Sequence, residues 1–113
     1  MPDDATNDGL RAELDRLRTE ITALDAELVR LVGHRRELVL RIGRLKADLG
    51  MPVLDPAREA AVVRRAAELS RELGVDEELT RDVIWRIIAS ARQAQEGSSS
   101  WGSDAPPVAD HSV

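Results

Sequence analysis

Cysteine, phenylalanine and tyrosine are missing from this chain, and Trp85 and Trp101 are its only aromatic residues. Without cysteine there is no disulfide framework, no thiol nucleophile and no thiolate zinc site. Two tryptophans do not make a stacking platform for bases. The net charge of −5 likewise argues against general nucleic-acid binding. The two histidines, His34 and His111, stand far apart, so a histidine-rich metal site is not expected. No apolar run approaches the ~20 residues of a membrane span. The opening MPDDATNDG is acidic and polar, unlike a signal peptide, and a cytoplasmic protein is expected. At 113 residues, one domain is the default.

What is present is a long apolar stripe. Leu10, Leu14, Leu17, Ile21, Leu24, Leu28, Leu31, Leu38, Ile42, Leu45 and Leu49 recur by alternating fours and threes, with Arg35 filling the missing step. That rhythm predicts one continuous helix. At ~1.5 Å rise per residue it forms a rod of roughly 60 Å. Such a rod is about twice the diameter of a compact domain of this size. The remaining residues are too few to cover it, whereas a second copy can. The rod therefore reads as the spine of a homodimer. A plain coiled coil is the alternative, and the charged Arg35 in the seam speaks against it.

The rest of the chain punctuates itself. Residues 1–7 read as a flexible N-terminal tail, with Asn7 or Asp8 as the first helix cap. Gly50 is a C-terminal stop. Asp55-Pro56 begins a second helix, which carries Val62, Ala66, Leu69 and Leu73 on one line and ends at Gly74. Asp76 caps a third helix, from about Glu77 to Gln95, whose face is Ile84, Ile87, Ile88 and Ala91, flanked by Leu79 and Val83. Residues 97–113, rich in Ser, Gly and Pro, read as a flexible C-terminal tail in which Trp101 is exposed. The expected fold is all-α: a three-helix subunit spanning residues 8–96, with one very long N-terminal helix, in an intertwined helical homodimer.

Each helix also delivers a polar group to its apolar line. Arg35 continues the first stripe, and Lys46 projects from nearly the same face roughly 16 Å further on. Stepping back along the second helix from Leu73 lands on Glu59, and stepping forward along the third from Ile84 lands on Gln95. Buried charges are costly unless paired or met by a ligand. Internal pairing, Glu59 with Lys46 or Arg35, is one outcome. The other is a ligand site. Arg35, Arg36, Lys46 and Arg58 face chiefly Asp55 and Glu59, and this cationic excess suits a small anion, carboxylates in particular. Arg18 lies roughly 25 Å before Arg35 along the helix. It reaches the same ligand only across an antiparallel dimer, and as an isolated residue it reads as a solvated surface arginine. Arg11, Arg16, Arg30, Arg41 and Arg44 read as solvated flank residues.

Five segments in order, Arg18-x-x-Ile21-x-x-Leu24-Asp25, Arg35-Arg36-x-Leu38, Gly43-x-x-Lys46, Asp55-x-x-Arg58-Glu59 and Ile87-Ile88 running on to Gln95, resemble the all-helical chorismate mutases, the AroQ class or type II. The resemblance covers about residues 10–96. It implies an intertwined dimer with two active sites that isomerises chorismate to prephenate by a pericyclic rearrangement, with no metal or cofactor. It further implies that Arg35 holds one substrate carboxylate and Arg18 of a second copy the other. Lys46 and Gln95 would hydrogen-bond the ether oxygen of the breaking bond. Glu59, with the backbone near Asp55, would receive the ring hydroxyl. Arg58 would line the pocket, and Ile42 and Ile88 would supply apolar wall. Some short relatives are activated by a partner enzyme, so a partner of that kind is compatible with the resemblance.

The chain departs from the family pattern at Ala91, where many relatives have a serine, and at Arg92, where a small apolar residue is common. Some relatives act on the 4-amino analogue of chorismate, and others cleave isochorismate. The readings carried forward are a chorismate mutase, a 4-amino-4-deoxychorismate mutase, and a non-catalytic helical dimerisation or regulatory module.

Overall fold

Helix boundaries here are set by capping chemistry. In the computed structural model, which describes residues 2–100 and the side chains of residues 4–95, three helices follow one another: α1 (Pro2–Asp48), α2 (Pro56–Leu73) and α3 (Glu77–Ser100). Among the described residues there is no strand. The fold is all-α. The chain divides into two units, residues 1–35 and 36–113.

The first unit consists of α1 alone. The helix begins at Pro2, not after a cap at Asn7 or Asp8. Proline's fixed φ suits a first helical position, and Asp4 adds negative charge near the positive end of the helix dipole. The apolar ladder is present and faces outward: Leu10, Leu14, Leu17, Ile21, Leu24, Leu28 and Leu31 are each 43–63% exposed. Arg16 pairs with Glu13 and Glu20, and Arg30 with Glu27, all on exposed flanks as expected.

The second unit starts with the last turns of α1. Gly50 adopts φ 69°, and the Met51 and Gly50 N–H groups donate to the carbonyls of Lys46 (2.8 Å) and Ala47 (3.1 Å). This left-handed turn satisfies carbonyls that the helix end would otherwise strand. Asp55 caps α2, its carboxylate accepting the Arg58 N–H at 3.0 Å, with Pro56 at the first helical position. Gly74 at φ 71° closes α2. Asp76 receives the Leu79 N–H at 3.2 Å and opens α3. Arg71, at the end of α2, and Arg81, in α3, both reach Glu77 at 2.6 Å, tying the two ends of this turn together.

α2 packs on α3. The buried residues of the two helices are mostly small: Ala67, Ser70, Ile88 and Ala91. Ser70 is satisfied by donating to the Ala67 carbonyl at 2.7 Å. The buried line of α2 is therefore rotated from the expected one. Val62 and Ala66 are half-buried, but Leu69 and Leu73 are 41% and 67% exposed. Small residues at the contact set the interaxial distance, so the alanines and serine sit between the helices and the leucines splay to the rim. On α3, Ile84 and Ile87 are half-buried as expected, while Leu79 and Val83 are exposed. α3 also runs past Gln95 and Gly97 to Ser100. Residues 101–113, with Trp101 and most of the expected C-terminal tail, lie outside the described residues.

Candidate active site

In the second unit, three segments bring polar groups together: the end of α1, the start of α2 and the last turns of α3. Gly43 is the hinge of this arrangement. It is buried, and a Cβ placed on it would sit 3.0 Å from the Gln95 amide nitrogen. The missing side chain is what lets the α3 glutamine lie against α1. The Gln95 Nε2 donates to the Val39 carbonyl at 3.0 Å. Lys46, three residues beyond Gly43 and thus on the same helix face, is half-buried. Its ammonium donates to the Val53 carbonyl at 3.4 Å and lies 4.0 Å from Asp55. Both contacts are long for charged donors, whose bonds run near 2.7–2.9 Å. The ammonium has three hydrogens to give.

Glu59 stands in the first turn of α2, with its side chain only 16% exposed. Its carboxylate is gripped by Arg92 of α3: Nε donates to one oxygen at 3.3 Å and a terminal guanidinium nitrogen binds the other. The internal pairing expected for Glu59 therefore exists, but with a different cation from Lys46 or Arg35. A sequence signal for Arg92 was available, since stepping by fours from Ile84 through Ile88 lands on it. The four charges Lys46, Asp55, Glu59 and Arg92 balance within this unit. Arg58 is exposed, and its backbone N–H serves the Asp55 cap.

Arg18 and Arg35 belong to the first unit, where Arg18 is exposed and Arg35 half-buried. Ile42, expected as apolar wall, is 49% exposed, whereas Ile88 is buried. Ala91 is buried between the helices, where its methyl group packs and supplies no hydroxyl. A separate open hollow near the α2–α3 turn is lined by Leu69, Leu73, Val75 and Ile84 with Ala66, Ser70 and Thr80, and no charged group lines it. Among the described residues no cluster of His, Asp or Glu could hold a metal ion, and no helix is long and apolar enough to cross a membrane.

Side chains from all three helices thus make contacts at one end of an all-helical unit, the Gln95 amide against Gly43 and the Lys46 ammonium against Val53 and Asp55. The sequence pattern of the family described as chorismate mutase type II matches residues 17–96, and the chain belongs to that family. A chorismate mutase from Methanocaldococcus jannaschii is 31% identical over 84 residues, covering 74% of this chain and 85% of that protein. A 4-amino-4-deoxychorismate mutase from Streptomyces venezuelae is 43% identical over 65 residues, 58% of this chain and 63% of its own length. A T-protein from Enterobacter agglomerans is 36% identical over 77 residues, 68% of this chain but 21% of that protein. The chain therefore spans less than two thirds of the length of the last two.

Proposed function

We propose that this protein is a chorismate mutase, isomerising chorismate to prephenate in sites shared between the two copies of a homodimer. The observation that carries the reading is that, in a chain of this family, Gln95 of α3 lies against Gly43 of α1 while Lys46, one turn on from Gly43, reaches Asp55 at the start of α2. The outward leucine ladder of residues 10–31 supports the dimer, because a second copy removes that apolar surface from water.

The rearrangement is unimolecular, so the protein has two tasks. Arg35 of one copy and Arg18 of the other clamp the two substrate carboxylates. This selects the compact conformer in which the bond-forming carbons face each other. Lys46 and Gln95 then donate to the ether oxygen as its bond to carbon breaks and negative charge collects there. Because that charge is largest in the transition state, these donors raise turnover more than affinity. The long contacts of Lys46 to Val53 and Asp55 are readily exchanged for a shorter one to the substrate.

The test is direct spectroscopic monitoring of purified protein with chorismate, beside the 4-amino-4-deoxy analogue. Chorismate consumption with prephenate formation is the expected result. The similarity to the Streptomyces venezuelae protein keeps the amino compound as the second reading, and a higher kcat/KM for it overturns the first. A dimerisation module with no catalysis leaves both compounds untouched.

A further inference from the structure

Arg92 has no place in the catalytic scheme above, yet its pair with Glu59 joins α2 to α3 beside the proposed site. Glu59 is the group the mutase reading assigns to the substituent at ring position 4. That substituent is a neutral hydroxyl in chorismate and an ammonium in its amino analogue. A lone carboxylate in a part-buried hollow favours the ammonium, because an opposite charge is the strongest partner available to it.

Glu59 is not a lone carboxylate. Both of its oxygens take bonds from the Arg92 guanidinium, and its side chain is mostly withdrawn from water. Its position in the first turn of α2 adds the positive end of the helix dipole. An ionised carboxylate has about four lone-pair sites, so two remain to accept a hydrogen bond from a hydroxyl. An ammonium at the same place meets an already neutralised anion and a permanent cation next to it. Like charges brought together at a binding site are a strong source of discrimination.

We infer that Arg92 is a positioning residue that sets substrate choice: by holding and neutralising Glu59, it favours a ring hydroxyl over a ring ammonium at position 4. The inference rests on the mutase reading and deepens it. Arg92 itself is 37% exposed, so its replacement does not open a core.

The experiment measures kcat/KM for chorismate and for 4-amino-4-deoxychorismate in wild type, Arg92→Leu and Arg92→Lys. The ratio of the two constants is independent of the fraction of folded protein, so a merely structural role does not move it. Wild type is expected to favour chorismate. Arg92→Leu should shift the ratio toward the amino compound by at least about tenfold, and Arg92→Lys, which keeps the charge, should stay near wild type. If Arg92→Leu does not fold by circular dichroism, Arg92→Gln provides the same uncharged comparison. A ratio unmoved in the uncharged variants, or a wild-type preference for the amino compound, overturns the inference while leaving a mutase in place. Wild-type protein inert toward both compounds removes the mutase reading and the inference with it.

Discussion

The Gln95 amide nitrogen lies against Gly43, at 3.0 Å from where a Cβ would stand, and donates to the Val39 carbonyl one turn earlier. The glycine thus leaves the room that an amide from a different helix occupies. The contact links a residue with no side chain to the group proposed to meet the substrate's ether oxygen.

Gly43→Ala therefore separates stability from turnover. Alanine gains roughly 0.5–1 kcal/mol of helix preference over glycine. The added methyl meets the end of a flexible side chain, which can move by a few tenths of an ångström. We expect a melting temperature equal to or above wild type and a several-fold lower kcat. Thermal denaturation and steady-state kinetics on the same preparation check both halves.

Lys46→Ala should lower kcat by at least ~100-fold with a smaller change in KM, the scale of losing one donor to a developing oxyanion. A nearly normal rate in a folded variant removes Lys46 from the proposed role.

Subunit sharing has its own signature. Arg18→Ala and Lys46→Ala proteins are each expected to be inactive, and after chain exchange their heterodimers carry one intact site of two. Random pairing restores roughly a quarter of the sites. No recovery despite proven exchange, for example by mass spectrometry of tagged chains, contradicts a shared site.

The pH profile tests Gln95. A neutral amide donates without being protonated, so activity should persist through neutral and mildly alkaline pH. In Gln95→Glu the donor is a carboxylic acid, which is lost as pH rises past its pKa. That variant should be active only toward acid, and a flat profile in it takes Gln95 out of contact with the reacting oxygen.

The Asp55 cap is a stability test. Its carboxylate holds the Arg58 N–H at 3.0 Å, and Asp55→Ala should destabilise the protein by about 1 kcal/mol. Denaturant titration against wild type measures this directly.

Much of the fold is legible because punctuation is local. Gly50, Asp55-Pro56, Gly74 and Asp76 each act on their own neighbours, and each ends or begins a helix where the residue type demands it. The ends of the chain read less well. Pro2 is itself a good helix opener, and a capping preference at Asn7 or Asp8 does not stop a helix already begun. The α2 line drifted because periodicity ranks residues by hydrophobicity, whereas the closest approach of two helices goes to the smallest side chains, here Ala67, Ser70 and Ala91. In the site, Lys46, Glu59 and Gln95 stood out as polar residues on apolar lines. Arg92 lies on such a line too, four residues beyond Ile88, but its position does not say which carboxylate it meets. Which of several cations Glu59 selects is decided by the approach of α2 to α3, a relationship between distant segments.

The leucines left facing outward along residues 10–31 have a further consequence, for dose. In the proposed homodimer, covering that apolar surface supplies part of the stability, and by mass action that part shrinks on dilution. Its melting temperature should climb with protein concentration, and its activity per milligram should fade in very dilute assays. The amount of protein a cell makes would then control not only how many sites exist but whether each one holds together.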